Sequence, residues 1–288
     1  MWLYLAFIVA FFTSLQDILS KRLLRDVPAT VVTWGWWFFS LPFLLPFVFT
    51  QDLPPLHPHF WWLVIICTIL LTAAVSCYIR AIRESDLSLT IPLMTFTPLF
   101  LLITSPLILK EVPSRQGLVG VILIVVGSYI LFFQNFQKGG WTTPFRNVIK
   151  DKGARYMLAV AFIYSISGNL DKVGVIWSSP WMWIVVISAT LSLSLLFVMF
   201  YRRETIFPYL RSHGLLFLAV GFFNAAALGV QMQIIEMTQV PYLIAIKRTS
   251  VIITALYGIF FLKEKDFFRR MIGIMIMVVG VFFIMFLE

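Results

Sequence analysis

The sequence predicts an all-α integral membrane protein whose ten transmembrane helices form two inverted five-helix repeats. Three observations predict it: a very apolar composition, apolar stretches as long as a membrane span, and similar sequence in the two halves. Of the 288 residues, 60% are hydrophobic and 12% are charged, and the mean hydropathy is +0.94. A soluble domain of this length could not bury so much apolar surface.

The apolar stretches are about 20 residues long, the length at which a helix crosses roughly 30 Å of hydrocarbon. The first begins near Met1 without a preceding basic segment or a following cleavage site, so we expect a retained helix. Proline, glycine and charged residues separate ten predicted spans: 2–20, 31–50, 60–83, 89–109, 116–134, 155–176, 180–201, 213–236, 241–262 and 270–287.

The distribution of the cations predicts the orientation of the spans. Of the 22 Lys and Arg residues, 17 fall in odd-numbered loops, three in even-numbered loops and two within a span. Short loops rich in Lys and Arg face the cytoplasm. We therefore expect a multi-pass protein of the plasma (inner) membrane with both termini on the outer side. The net charge of +9 is explained in the same way, and no nucleic-acid partner is expected.

The two halves of the chain resemble each other. "LKEVPSRQGLVGVILIVVGSYILF" at 109–132 aligns with "LKEKDFFRRMIGIMIMVVGVFFIM" at 262–285 at a constant offset, which pairs Gly120 with Gly273 and Gly127 with Gly280. "SLQDILSK" at 14–21 aligns more weakly with "SISGNLDK" at 165–172. We expect a first repeat at 1–134, a cytoplasmic connecting loop at 135–154, and a second repeat at 155–288. An odd number of spans per repeat inverts the second copy in the membrane.

The paired glycines are seven residues apart, so they lie on one face of the fifth and tenth predicted helices. Small residues on one face let helix backbones approach closely inside a membrane. We therefore expect these four glycines at helix contacts.

The ten spans, the "LKE" that ends the fourth and ninth spans, and the helix with two glycines that follows resemble the drug/metabolite transporter superfamily, in its EamA-type group. The resemblance covers essentially the whole chain. It implies a secondary transporter that works by alternating access, with its substrate bound near the midplane between the repeats. Members of this superfamily carry amino acids, sugars, nucleotide precursors, quaternary amines or phosphorylated metabolites, so the resemblance leaves the solute open.

Two cations, Lys247 and Arg248, lie within the ninth predicted span, where each costs roughly 2.5 to 3.5 kcal/mol. Helical rise places Lys247 about 9 Å inside the outer end of this span, and Lys172 about 6 Å inside the same end of the sixth. On one continuous helix, neighbouring side chains point about 100° apart. Lys247 and Arg248 would therefore flank a cavity, or one of them would meet an acidic partner.

Two interpretations of these cations remain open. In the first, Lys247, Arg248 and Lys172 bind a phosphorylated or carboxylated substrate, for which a guanidinium fork and an ammonium are suited. The Lys–Arg pair resembles the phosphate-binding pair of plastid sugar-phosphate translocators, with Lys172 similar to their third cation. In the second, Asp171 or Glu236 neutralises the cations in internal salt bridges and no ligand is involved.

Other polar residues of the spans are also candidates. Asn169, Gln231, Gln233 and Tyr242 are expected to hydrogen-bond either a polar substrate or a neighbouring helix. Asp17 is expected to pair with Lys21 or to couple transport to protons. Cys67 and Cys77 lie too far apart on one helix to form a disulfide, and neither they nor "HPH" at 57–59 is expected to bind a metal.

The leading hypothesis is a secondary transporter for a small, polar and anionic metabolite. An exporter of uncharged or cationic amphipathic metabolites or drugs is the alternative, because an aromatic content of 17% suits an apolar cavity. An intramembrane enzyme would need a buried catalytic group, and we expect no enzymatic activity and no cofactor. A structural or receptor subunit remains a further possibility. The expected partners are a small-molecule substrate and the lipid bilayer, with the protein a monomer or a weak homodimer.

The charge asymmetry predicts that a reporter fused after Glu288 faces the outside. A fluorescent protein that matures only in the cytoplasm should therefore stay dark at that position and fluoresce when it is inserted in the loop at 135–154. Fluorescence of the fusion after Glu288 would contradict the predicted orientation.

Overall fold

The computed structural model describes residues 1–50, 55–85, 91–132, 151–262 and 267–286. These residues form helices and turns, with no β-strand among them. Most of the predicted connecting loop at 135–154 lies outside the described residues. The prediction of an all-α membrane protein is confirmed. Six of its helical segments, taken over the described residues, are long and apolar enough to cross a membrane.

The helices follow the predicted spans closely. In chain order they are α1 (Trp2–Leu23), α2 (Ala29–Phe38), α3 (Leu41–Val48), α4 (Phe60–Glu84), a 3₁₀ helix (Ile91–Phe96), α5 (Thr97–Ile108), α6 (Arg115–Phe132), α7 (Lys152–Ile176), α8 (Pro180–Tyr201), α9 (Phe207–Ile234, kinked at His213), α10 (Val240–Lys247), α11 (Ser250–Leu262) and α12 (Phe267–Phe286).

Three of the predicted spans are interrupted. The second consists of α2 and α3, the fourth of the 3₁₀ helix and α5, and the ninth of α10 and α11. The ninth span is not one continuous helix, because α10 ends at Lys247 and α11 begins at Ser250.

The chain forms two compact units, and neither coincides with one half of the sequence. Unit 1 consists of Met1–Thr72 and Leu170–Thr238, and unit 2 of Ala73–Asn169 and Gln239–Glu288. Each unit therefore combines spans from both halves. Two of the boundaries between them fall within α4 and α7, and the third lies between α9 and α10.

In unit 1, α1 packs against α9, and α8 packs against α2 and α3. Two pairs of hydroxyl groups join α4 to α8: Thr68 to Thr190 at 2.9 Å, and Thr72 to Ser194 at 2.7 Å. Both pairs have the same separation in sequence, so the two helices run in the same direction. This agrees with the predicted topology, in which the third and seventh spans are both odd-numbered.

In unit 2, the main contact joins α6 to α12 through the four paired glycines. A Cβ atom added to Gly120 would lie 2.7 Å from the carbonyl oxygen of Gly280, and one added to Gly127 would lie 2.6 Å from that of Gly273. The expected position of the glycines at a helix contact is confirmed. Because Gly120 faces Gly280 and Gly127 faces Gly273, the two helices are antiparallel.

Replacing Gly273 with Leu should lower the stability of the protein by about 1 to 3 kcal/mol, the usual cost of overpacking. The added Cβ would lie 2.8 Å from the carbonyl oxygen of Gly127, where the backbone leaves no room. Gly214→Leu is the matched control, because nothing lies within 4 Å of an added Cβ there. Thermal unfolding in detergent measures both variants, and equal melting temperatures would contradict the packing role.

Candidate functional site

In the ninth span, the main-chain hydrogen bonds change from the α-helical to the 3₁₀ pattern at the two cations. The amide of Thr249 donates to the carbonyl oxygen of Ile246 at 2.9 Å, and the amide of Val251 donates to that of Arg248 at 3.1 Å. These bonds span three residues, whereas an α-helix has bonds that span four. The tighter turn satisfies these main-chain groups within the chain. A ligand at this turn would therefore depend on the side chains of Lys247 and Arg248, both of which are half-buried.

The fourth span changes its helix type at the equivalent position. Its 3₁₀ helix ends at Phe96 and α5 begins at Thr97, while α11 begins at Ser250. The sequence alignment of the two repeats pairs Thr97 with Ser250. Interrupted helices at corresponding positions of two inverted repeats are typical of the substrate sites of secondary transporters.

Arg248 joins these two interrupted spans. Its Nη2 atom donates a hydrogen bond to Oγ1 of Thr97 at 3.2 Å, and the Thr97 hydroxyl donates to the carbonyl oxygen of Met94 at 2.8 Å. The Arg248 side chain is thereby directed toward the first turn of α5. Thr97 is not among the site residues that the sequence predicts. Its alignment with Ser250 in "KRTS" is the signal that could have indicated it.

Tyr242, a predicted substrate contact, is fully buried in unit 2. Its hydroxyl accepts a hydrogen bond from the amide of Ser114 at 2.8 Å. Its ring packs against Gly117, where an added Cβ would overlap the Tyr242 side chain. This environment holds α10 in place, and the substrate contact stays a prediction.

Asn169, also a predicted substrate contact, is fully buried in a hydrogen-bond network between α5 and α7. Its Oδ1 accepts from the Ser105 hydroxyl at 2.5 Å. Its Nδ2 donates to Oγ1 of Thr104 at 3.0 Å and to the carbonyl oxygen of Ser165 at 2.9 Å. Both ends of the amide are thus bonded within the protein, and a ligand contact stays a prediction here too.

The other predicted site residues belong to unit 1. The Lys172 ammonium donates to the carbonyl oxygen of Thr238 at 2.8 Å, and Oδ1 of Asp171 accepts from Nε1 of Trp183 at 3.0 Å. The remaining predicted residues differ in burial: Gln231 is buried, Gln233 is half-buried, and Glu236 and Asp17 are exposed. The anion site and the internal salt bridges both stay predictions.

Among the described residues, no three His, Cys, Asp or Glu side chains come together as metal ligands do. His57 stacks on Trp177 with ring centroids 4.2 Å apart, and its Nδ1 accepts from the amide of His59 at 3.2 Å. Cys67 and Cys77 are free thiols.

Comparison with known proteins identifies the family to which this chain belongs. A model described as the EamA-like transporter family matches residues 1–133 and 151–286. The chain belongs to the EamA-like transporter family. It is therefore a transporter and a multi-pass membrane protein.

One crystal structure of another protein matches 99% of this transporter and 96% of its own chain, with a TM-score of 0.78. The sequence identity is 14%, so this likeness shows the fold alone. No curated protein matches the transporter.

Replacing Asn169 with Ala should destabilise the protein by about 1 to 3 kcal/mol, because it removes a bonded amide from a buried network. Gln116→Ala is the control, since it removes an exposed amide near the start of α6. We expect a lower melting temperature for Asn169→Ala alone. The KM of transport, measured by counterflow in proteoliposomes, should be unchanged in both variants. A stable Asn169→Ala protein with a raised KM would instead support a substrate contact.

Proposed function

We propose that this transporter carries a small anionic metabolite, phosphorylated or carboxylated, across the plasma membrane by alternating access. The observation that carries the proposal is the pair of adjacent cations, Lys247 and Arg248, at the 3₁₀ turn of an interrupted span. The equivalent span of the other repeat is interrupted at the corresponding residue, Thr97.

Electrostatics supports an anionic substrate. Two cations within a span cost about 5 to 7 kcal/mol on insertion scales. The hydrogen bond from Arg248 to Thr97 orients the guanidinium at this turn. A bound anion would offset the cost directly, since the interaction between opposite charges strengthens where water is scarce.

The chemistry of the two side chains favours phosphate or carboxylate. A guanidinium presents a planar fork of donors that matches these groups, while the Lys ammonium adds a compact charge. Because the 3₁₀ turn uses the main-chain groups described above, selectivity would come from these side chains. From the sequence, Lys172 is predicted to be a third cation of the substrate site.

Interrupted helices also support alternating access. In inverted-repeat transporters, the substrate site lies at broken helices near the midplane, and one group of helices rocks against the other. Short 3₁₀ segments within longer helices are frequent at functional hinges. The turns at Phe96–Thr97 and Arg248–Thr249 are the hinges of this proposal, and exchange or proton coupling would drive the cycle.

Arg248→Gln should weaken substrate binding by about 1.5 to 3 kcal/mol, the worth of a hydrogen bond to a charged group. Lys172→Gln should weaken it less, because this residue is predicted to lie nearer to water. Both variants should keep their melting temperature, since each removes a charge that is costly within a span while Gln can still donate a hydrogen bond. Counterflow in proteoliposomes, with sugar phosphates and dicarboxylates as substrates, measures the affinity.

Arg25→Gln is the matched control, because it removes an exposed cation from the loop after α1. The salt-bridge interpretation makes the opposite prediction: loss of either cation would strand a carboxylate and cost several kcal/mol of stability. Unstable variants with normal specific activity would therefore contradict the proposal. Counterflow of uncharged or cationic amphiphiles, unaffected by Arg248→Gln, would support the alternative exporter.

A further inference from the structure

The turn that follows α5 directs Glu111 toward α10. The amides of Leu109 and Glu111 both donate to the carbonyl oxygen of Ser105, at 2.8 and 3.4 Å. Between them Lys110 has a φ of 59°, in the left-handed region that commonly ends a helix. This turn ends α5 and orients the residue that follows it in "LKE".

Glu111 supplies a hydrogen-bond partner for the first residue of α10. Its Oε2 atom accepts a hydrogen bond from the amide of Val240 at 3.0 Å. Gln239, the residue in the N-cap position, makes no side-chain cap bond of its own. The first amides of a helix lack partners within the helix and form its positive end. A carboxylate at this point therefore stabilises the start of α10 twice, by a hydrogen bond and by its charge.

Two further contacts hold the same end of α10. Nε2 of Gln239 donates to the carbonyl oxygen of Val112 at 3.4 Å. The Tyr242 hydroxyl accepts from the amide of Ser114 at 2.8 Å. Three consecutive contacts thus fix the start of α10 to the segment that follows α5.

The opposite end of α10 carries the two cations. α10 has eight residues, which corresponds to a length of about 12 Å. Arg248 at its end bonds to Thr97, the first residue of α5. One stretch of chain, from Thr97 to Gly117, therefore contacts both ends of this short helix.

We propose that Glu111 is a positioning residue for the substrate site. By capping α10 it sets the depth and the direction of Lys247 and Arg248 at the other end of the helix. The inference rests on the proposed anion site at this turn. The physical reason is that the 3₁₀ turn after Lys247 can act as a hinge, so the position of α10 depends on how its first residues are held.

Three variants test the proposal. Glu111→Ala removes both the hydrogen bond and the charge. Glu111→Gln keeps an oxygen that accepts from the Val240 amide, and Glu84→Ala removes an exposed carboxylate at the end of α4. Two measurements apply to each variant: the KM and kcat of counterflow with a sugar phosphate or a dicarboxylate, and hydrogen–deuterium exchange of a peptide that covers α10.

We expect Glu111→Ala to raise the KM about five- to tenfold, with a smaller change in kcat. This size corresponds to the free energy that is usually lost when a helix cap is removed. The amides of the first turn of α10 should exchange faster in this variant. Glu111→Gln should restore most of the affinity and protection, and Glu84→Ala should resemble wild-type protein.

Faster exchange with an unchanged KM would overturn the positioning role and leave Glu111 a structural cap. Unchanged exchange would show that Glu111 does not hold α10. If Glu111→Ala does not fold, a Glu111→Gln protein with a raised KM but normal exchange would contradict the proposal. Normal transport by Arg248→Gln would contradict the anion site and, with it, the positioning role of Glu111. Fast exchange of α10 in Glu111→Ala would then show only that Glu111 caps this helix.

Discussion

Hydrocarbon offers no hydrogen bonds to a peptide group, and the architecture of this transporter follows from that constraint. Every stretch that crosses the membrane must satisfy its own amides, which explains why the described residues form helices. The same constraint applies where a span is interrupted. At Arg248 the chain changes from four-residue to three-residue hydrogen bonds, so the amides of Thr249 and Val251 still find partners within the chain. A ligand that binds at such an interruption would therefore depend on side chains for its contacts.

The spans and the glycine contact could be predicted because both depend on local sequence. The length of the apolar stretches and the charged residues between them determine where a helix crosses the membrane. The seven-residue spacing places Gly120 and Gly127 on one face of their helix. The interruption of the ninth span could not be predicted in the same way. "IAIKRTSVI" contains no proline or glycine, so local propensity favours a continuous helix there. The contact of Arg248 with Thr97 joins residues far apart in sequence, and only the tertiary structure brings them together.

Glu111 illustrates a second limit of sequence reasoning. Its place in the repeated "LKE" is visible in the sequence, and it serves there as a mark of the family. The helix that it caps begins at Val240, much later in the chain, where no nearby side chain performs this role. A cap supplied by a distant segment leaves no local pattern, because the usual signature places the capping residue next to the helix. Asn169 and Tyr242 show the converse: a polar residue within a span suggests a ligand, whereas each is bonded within the protein.

The composition of the two compact units has a consequence for biogenesis. Unit 2 needs α5 and α6 from the first half of the chain and α10 to α12 from the second. While the ribosome is still making the second half, the glycine face of α6 therefore has no α12 to meet. The nascent first half must wait in the bilayer as an incomplete assembly, with lipid or an insertion factor covering surfaces that will later be buried. Completion of the fold is thus a late event, set by the synthesis of the last helix.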